Sequence, residues 1–312
     1  MILVDQLEKH YSGSRGLNGF TLRVEKGDLF GLVGPNGAGK TTLIKILSTL
    51  IHPDSGRARI HGMDVTSNPQ DVKRVVGYMP DQPGLYQDMR VQEFLEFFAE
   101  AFLISGPERR AAVEKGLIDS GLAERRDSFV EELSFGMKQR LFLAKTLLHS
   151  PKVLLLDEPA TGLDPLARVD LRNRLRDLNE KGITILISSH ILADLQEICT
   201  RVSFIADGLN QADEAGRTTI ELRKEDASHS YSYDVGVLQE SDLAAKRAME
   251  FPGVRVLDVQ PARMMVEISG DELQAAEFLR HLITGGIQVV RFDHPSGSLE
   301  ERYRDVFGGK PR

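Results

Sequence analysis

The segment GPNGAGKTT, at residues 34–42, has the residue types and spacing of a loop that binds phosphate. Its three glycines let the backbone turn tightly, so that several N–H groups point toward one anion. An apolar stretch precedes the loop and a helical pattern follows it, which adds the positive end of a helix dipole. The pattern therefore predicts binding of a nucleoside triphosphate, and the alternative is a glycine-rich turn without a ligand.

Two side chains of this loop have expected roles of their own. Lys40 can reach the β- and γ-phosphates, and the Thr41 hydroxyl is a natural ligand for Mg²⁺, which takes few protein oxygens. The candidate contacts of the triphosphate are all the residues of the loop: Gly34, Pro35, Asn36, Gly37, Ala38, Gly39, Lys40, Thr41 and Thr42.

Two carboxylates, Asp157 and Glu158, follow the apolar run at residues 153–156. In a parallel α/β sheet, ligands bind at the carboxyl ends of the strands, so both groups are expected beside the nucleotide. Successive strand residues point to opposite sides, and the two carboxylates therefore serve different purposes. Asp157 suits Mg²⁺, directly or through water, whereas Glu158 suits a base that polarises the attacking water. The alternative is a solvated strand end.

The elements that must position these residues are short apolar runs alternating with helical patterns. Buried strands are predicted at 29–34, 152–158 and 183–190. The predicted helices cover residues 41–50, 91–102, 107–122, 136–150 and 167–182. This alternation predicts an α/β fold whose largely parallel sheet is covered on both faces.

The pattern breaks in the polar stretch 207–228, where we place a domain boundary. We expect a first domain at 1–215, a linker at 216–228 and an accessory α+β domain at 229–312. The predicted strands and helices of the last domain cover residues 229–237, 240–251, 254–260, 262–269, 271–286 and 287–293. Their order is βαββαβ, the split-βαβ or ferredoxin-like pattern.

Composition excludes several classes of protein. Of the 312 residues, 41% are apolar and 27% charged, which is typical of globular proteins and not of disordered ones. A net charge of −7 argues against general binding of nucleic acid, which needs a basic surface. One cysteine, Cys199, excludes an intramolecular disulfide framework.

The strongest apolar runs, at 153–156 and 183–187, are far below the roughly 20 residues of a membrane helix, and MILVDQLEKH lacks the features of a signal peptide.

Further motifs occur in a characteristic order. LSFGMKQR (133–140) lies between the phosphate loop and the carboxylates, and TGLDP (161–165) follows them. His190 closes ITILISSH, Tyr11 precedes the first glycines, and VGYMPDQPGLYQDMRVQEFL occupies residues 76–95. These motifs resemble those of the nucleotide-binding subunit of an ATP-binding-cassette (ABC) transporter. LSFGMKQR resembles the signature, TGLDP the D-loop and the segment at 76–95 the Q-loop. His190 corresponds to the switch histidine and Tyr11 to the adenine-stacking aromatic residue. The resemblance covers residues 3–208.

The resemblance implies a P-loop ABC cassette that binds and hydrolyses ATP with Mg²⁺, with a mixed sheet core and a helical subdomain at about 90–140. Tyr11 would stack on adenine, His190 would contact the γ-phosphate, and Asp164 would line an interface between subunits. The signature residues Ser134, Phe135 and Gly136 would close over the ATP of a second subunit. The implied assembly is a homodimer, or a dimer with a related cassette, with two ATP molecules at the interface.

The implied partner is a separate integral-membrane permease, contacted near residues 81–96 and by the helices at 91–122, which places the chain at the cytoplasmic face of the membrane. The LSFGM signature and the YMPD stretch at residues 78–81 resemble the subunits of ABC-2-type exporters. The rival functions are a non-transport ABC ATPase acting on the ribosome or DNA and a binding module with a degenerate site. The single cassette, its acidity and the intact set of Lys40, Asp157, Glu158 and His190 argue against them.

One motif departs from the family pattern. The glutamine of the Q-loop falls on Asp81, with Gln82 next to it, so Asp81 becomes a candidate for the magnesium shell. Local alternatives also remain for single residues: His190 as a hydrogen-bonded histidine at a strand end, Tyr11 as a packing residue, and Ser134 as a helix N-cap.

Overall fold

The chain divides into two compact units, Met1–Leu222 and Arg223–Arg312. Each unit has a hydrophobic core of its own. The structure, a computed structural model, describes residues 1–81, 84, 86, 88–212, 218–222, 230–238, 241–269, 272–293, 299 and 303.

The described part of the first unit is an α/β structure. Its strands are β1 (Ile2–Tyr11), β2 (Ser14–Val24), β3 (Leu29–Val33), β4 (Ser55–Ile60), β5 (Met63–Asp64), β6 (Val76–Met79), β7 (Val153–Asp157), β8 (Thr184–Ser189), β9 (Arg201–Ala206), β10 (Leu209–Gln211) and β11 (Thr219–Glu221). Its helices are α1 (Lys40–Leu47), α2 (Pro69–Val75), α3 (Val91–Ala101), α4 (Gly106–Asp119), α5 (Phe135–Leu147), α6 (Pro165–Glu180) and α7 (Leu192–Ile198). The predicted helices and strands are confirmed to within a few residues at each end.

The larger sheet places the predicted site residues at the carboxyl ends of its central strands. Its parallel strands run in the order β9, β3, β8, β7, β6, and β10 and β11 each pair antiparallel with β9. Every residue of β3, β7 and β8 is buried, as expected for central strands covered on both faces. The carboxyl ends of these three strands lead into the phosphate loop, Glu158 and His190. The predicted largely parallel sheet is therefore confirmed.

A second, antiparallel sheet in the order β2, β1, β4, β5 lies at the start of the chain. In β1, Ile2, Val4 and Leu7 are buried, and a register shift between Val4 and Leu7 accompanies a positive φ of 45° at Gln6. This bulge breaks the strict alternation of apolar and polar residues. The strand ends at Tyr11, which brings this ring to the phosphate loop.

Three helices form the predicted helical segment. Helix α3 buries Val91, Phe94, Leu95 and Ala99, and it contacts both α4 and α5. The rings of Phe94 and Phe98 lie 4.8 Å apart, which adds an aromatic contact to this packing. No helix in the described ranges has the length and apolar content that a membrane span requires.

The second unit has the predicted βαββαβ order. Its elements are β12 (Ser230–Val237), α8 (Ser241–Met249), β13 (Val254–Gln260), β14 (Arg263–Ser269), α9 (Glu272–Thr284) and β15 (Val289–Asp293). The strands form one antiparallel sheet in the order β13, β14, β12, β15. Its core includes Val235, Val266 and Phe278, which joins the sheet to α9.

The predicted linker at 216–228 is wrong in its first half. Residues 219–221 form β11, which pairs with β9 of the first unit, and Ile220 is buried. A strand of three residues with one inward-facing apolar side chain has no alternation that a sequence could reveal. Residues 216–217 and 223–228 lie outside the described residues.

Candidate functional site

The predicted phosphate loop connects β3 to α1. Lys40 is the first residue of α1 and is only 5% exposed. Its ammonium group donates to the carbonyl oxygens of Gly34 at 2.7 Å and Pro35 at 3.1 Å. Of the remaining loop residues, Pro35, Asn36 and Gly37 are exposed, Thr41 and Thr42 are half-buried, and Gly34, Ala38 and Gly39 are buried. The lysine thus lies inside the curve of its own loop.

Two glycines of the loop are required by close backbone contacts. Gly39 has a φ of 107°, and a Cβ atom there would lie 2.2 Å from the carbonyl oxygen of Gly16. A Cβ atom on Gly34 would lie 2.2 Å from the carbonyl oxygen of Ile205. Both distances are far below van der Waals contact, so a larger residue at either position must displace backbone.

Glu158 lies between Lys40 and His190. Its Oε1 is 3.3 Å from the Lys40 Nζ, an ion pair without the geometry of a hydrogen bond. Its Oε2 is 2.7 Å from the Nδ1 of His190 and 3.4 Å from the hydroxyl of Thr161. Glu158 has a φ of 48°, in the left-handed region that side chains with a Cβ rarely adopt. Such strain is common where a fold positions a functional group.

Asp157 is fully buried beside Glu158. The Ser188 hydroxyl donates to its Oδ1 at 2.6 Å, whereas its Oδ2 is buried without a hydrogen-bond partner. Burial raises the pKa of the Asp157 carboxyl, and the hydrogen bond from Ser188 and the nearby Thr41 side chain oppose this shift. The unpartnered oxygen is the kind of donor that a cation would satisfy.

The three predicted magnesium residues lie close together. The Thr41 side chain lowers the pKa of Asp157 and the charge of Asp81 raises it, so both lie near this carboxylate. Burial, with Asp157 and Asp81 nearby, raises the pKa of Tyr78 to about 12. The described residues contain no group of three or more His, Cys, Asp or Glu that could hold a metal ion. A hydroxyl with one or two carboxylates still fits Mg²⁺, which keeps several waters and takes substrate phosphates as ligands. Gln82 lies outside the described residues.

Tyr11 is 44% exposed beside the loop. Its hydroxyl is 3.5 Å from the Thr42 Oγ1, and its Cε2 lies 2.7 Å from the position of a Cβ atom built on Gly16. The lack of a side chain at Gly16 therefore makes room for the ring.

The signature and D-loop residues share a second site. Ser134 is the N-cap of α5, and its Oγ accepts from the backbone N–H of Met137 at 3.3 Å. Asp164 caps α6 in the same way, accepting from the N–H of Ala167 at 2.9 Å. Ser134, Gly136 and Asp164 line one cavity of about 370 Å³. The cap interpretation of Ser134 is therefore confirmed, and Asp164 has the same local role.

Among the described residues, no hydrogen bond or ion pair joins Ser134, Gly136 or Asp164 to the phosphate loop. Phe135 is 52% exposed, and its ring lies against Gly162, where a Cβ atom would be 3.3 Å from its Cε1. The N-terminal end of α5 therefore presents Ser134 and Phe135 as exposed residues.

Three residues of the sites lie within the motifs but have no predicted role of their own. Thr161 and Ser188 contact the two carboxylates, and buried Gln139 donates from Nε2 to the carbonyl oxygen of Pro159 at 2.5 Å. Gln139 thereby ties the signature helix to the turn that follows Glu158. These contacts depend on strand register and helix packing, and the sequence alone contains no signal for either.

Comparison with known proteins identifies relatives of this chain. The ABC transporter family model matches residues 17–161. The Nod factor export ATP-binding protein I of Burkholderia thailandensis is 43% identical over 216 residues, which are 69% of this chain and 71% of that protein. The bacitracin transport ATP-binding protein of Bacillus licheniformis is 37% identical over 209 residues, 67% of each chain. A solved ATP-binding subunit of an ABC transporter has a TM-score of 0.61 at 33% identity, over 68% of this chain and 88% of that one.

The family match and the geometry agree. The matched residues contain the phosphate loop, the signature and both strand-end carboxylates. The structure brings the loop and the carboxylates together, and it adds His190 from the neighbouring strand. The chain therefore belongs to the ATP-binding proteins of ABC transporters, a family of ATPases.

Proposed function

We propose that this chain is the ATP-hydrolysing subunit of an exporter, in which two cassettes close over two MgATP and drive a membrane-spanning partner. The observation that carries the proposal is the position of Glu158, with one carboxylate oxygen at Lys40 and the other at His190. These contacts support the roles of Glu158 as a base, Lys40 as a phosphate-binding cation and His190 as a hydrogen-bonding partner at the carboxyl ends of the strands.

The residues of this site have different roles in binding and hydrolysing ATP. Lys40 and the loop N–H groups bind the phosphates, and the ammonium offsets the negative charge that develops during transfer. Glu158 takes a proton from the attacking water, and His190 fixes the carboxylate through its contact with Oε2. The exposed ring of Tyr11 offers a face to the adenine base.

Thr41, Asp157 and Asp81 are the candidates that hold the magnesium ion. The unpartnered Oδ2 of Asp157 supports this assignment. When bound, the ion neutralises phosphate charge and orients the β- and γ-phosphate groups. The carboxylate of Asp157 is fixed by Ser188 at its other oxygen, so the free oxygen keeps its direction.

A second subunit is needed because the signature lies apart from the phosphate loop. The helix N-terminus at Ser134 and Gly136 is an anion site, and Ser134 is exposed. A twofold arrangement lets each copy offer its signature to the nucleotide of the other. ATP then joins the two copies, with Ser134, Phe135, Gly136 and Asp164 at the interface, and hydrolysis releases them. The partner copy is an identical chain or a related cassette.

A groove of about 960 Å³ in the first unit is the proposed contact with the membrane partner. It is lined by residues of α2, α5 and the segment between α3 and α4. Leu103 is in this groove, 89% exposed, at a φ of 62°. Leu50, 55% exposed, lines the same groove, and exposed apolar side chains grouped on one surface are typical of a site that a partner covers. This groove overlaps the region at 91–122 where we expect the contact.

Export is the direction that the relatives support. The Burkholderia protein is named for export of a Nod factor and the Bacillus protein for transport of bacitracin. The shared ATP-binding unit supports export by this chain too, with the chain held at the cytoplasmic face of the membrane by its partner.

The proposal is tested by purifying the tagged chain from detergent-solubilised membranes of its own host and measuring phosphate release. We expect a multi-span membrane protein to co-purify and ATP hydrolysis to accompany the complex. Leu103→Asp should release the membrane protein while nucleotide binding is kept. Leu238→Asp, at a leucine 69% exposed in the second unit, is the control and should leave the complex intact. Active ATPase without any membrane partner in the wild-type preparation would contradict the transporter proposal.

A further inference from the structure

We propose that Ser188 is a positioning residue that fixes both site carboxylates at once, orienting Asp157 for the metal and Glu158 for the water. Ser188 is fully buried in β8. Its hydroxyl donates to the Oδ1 of Asp157 at 2.6 Å and accepts from the backbone N–H of Glu158 at 3.0 Å. The Ser188 carbonyl oxygen also accepts from this N–H, at 3.2 Å.

Strand register creates this double contact. Strands β7 and β8 are parallel, with Asp157 opposite Ser188. A serine hydroxyl has one proton to donate and lone pairs to accept. Here the proton goes to Asp157, so the lone pairs face the N–H of Glu158. The two neighbours therefore determine the direction of the hydroxyl, and the hydroxyl in turn restrains both neighbours.

The contact with Asp157 decides which oxygen remains free. Because Oδ1 is occupied by the Ser188 hydroxyl, Oδ2 is left buried without a partner. Without the hydroxyl, the carboxylate could rotate, and neither oxygen would have a fixed direction. Groups that orient a metal ligand typically change metal affinity by about 10- to 100-fold when removed.

The contact with Glu158 restrains a strained backbone. The φ of 48° at Glu158 is unfavourable for a residue with a Cβ atom. The two acceptors of Ser188 hold the Glu158 N–H in this conformation. Loss of the hydroxyl removes one of them and allows the peptide to relax, which moves the carboxylate away from His190.

The experiment compares Ser188→Ala and Ser188→Cys with wild type; the cysteine keeps the branching of the side chain but is a weak donor and a weak acceptor. Binding of a fluorescent ATP analogue is measured over a range of Mg²⁺ concentrations and in EDTA. We expect both variants to need about 10-fold more Mg²⁺ and to bind as wild type in EDTA. At saturating Mg²⁺, kcat should fall while the KM for ATP stays close to wild type.

The matched control is Ser203→Ala. Ser203 is also a fully buried strand serine, and its hydroxyl donates to the backbone oxygen of Thr218 at 2.7 Å. It should match the Ser188 variants in stability loss without changing the Mg²⁺ dependence. Ser188 variants with wild-type Mg²⁺ dependence and kcat would overturn the assignment. The inference rests on the proposed magnesium site, and a wild-type chain that binds nucleotide without any response to Mg²⁺ would contradict that proposed function instead.

Discussion

At the scale of single residues, Lys40 is bound to its own loop and to Glu158. Its ammonium group donates to two carbonyl oxygens and lies 3.3 Å from the Glu158 carboxylate. Entry of a triphosphate would give this cation a better anionic partner and free Glu158 to face water. The same ion pair therefore keeps both side chains ready before the substrate binds.

We expect Lys40→Ala to weaken nucleotide binding by about 10- to 100-fold, because hydrogen bonds to charged groups contribute about 1.5–3 kcal/mol. Lys45→Ala, a change in the same helix outside the loop, is the control and should bind as wild type. Equilibrium binding of a labelled nucleotide on a filter measures both. Equal affinities for the two variants would refute the role of Lys40.

The residues that the sequence identified are those whose chemistry is local. Lys40 and Thr41 belong to one loop, and Asp157 and Glu158 are adjacent, so spacing along the chain was enough to find them. Ser188 is different, because its contact with Asp157 is set by the pairing of two strands 31 residues apart along the chain. Nothing in ITILISSH distinguishes this serine from the next one.

At the scale of elements, the conformation of the phosphate loop depends on its glycines. We expect Gly39→Ala to lower the free energy of unfolding by more than about 2 kcal/mol, because the methyl group meets the Gly16 carbonyl at 2.2 Å and φ is positive. Gly27→Ala is the control, since its φ of 86° carries the same strain but nothing lies within 4 Å. It should cost only about 1–2 kcal/mol. Urea unfolding measures both, and equal losses would show that the close contact is unimportant.

Lys145, on α5, gives a prediction about pH. Its ammonium lies 4.6 Å from the ring centres of both Phe98 and Phe142, and burial lowers its pKa to about 8. Between this value and the ordinary 10.5, the unfolded chain binds more protons than the folded one, so stability rises with pH in that window. Compared with Lys145→Met, the wild type should gain at most about 1.4 kcal/mol per pH unit. Urea unfolding at pH 7.5 and pH 10 tests this, and a pH-independent difference would contradict the shifted pKa.

The helices were more predictable from the sequence than the antiparallel sheet formed by β2, β1, β4 and β5. The helical period of α3 is contained in its own residues, so the prediction for 91–102 needed no partner. No strand is predicted at residues 2–11, and the bulge at Gln6 interrupts the alternation of β1 that would indicate one. The strand is stabilised by pairing with β2 and β4, which a single segment cannot reveal.

At the scale of the whole molecule, the two units have separate cores, and each core consists of apolar and aromatic residues. The phosphate loop, the carboxylates and the signature all belong to the first unit. The order βαββαβ was predictable because each of its strands and helices has its own period in the sequence. The C-terminal limit of the first unit was not predictable, because β11 belongs to this unit only through its pairing with β9.

Glu158→Gln is the variant on which the proposed mechanism depends most. The amide keeps the shape of the side chain but cannot take a proton from water, so hydrolysis should fall by about 100-fold or more while MgATP still binds. With the nucleotide uncleaved, the ATP-bound dimer should accumulate. Glu180→Gln, at the exposed end of α6, is the control.

The measurement is phosphate release, with light scattering on the same sample in MgATP. For Glu158→Gln, we predict almost no phosphate release and a stable dimer, whereas Glu180→Gln should hydrolyse as wild type does. Hydrolysis by Glu158→Gln at the wild-type rate would contradict the assignment of Glu158 as the base, and a stalled variant that stays monomeric would contradict the nucleotide-bridged dimer.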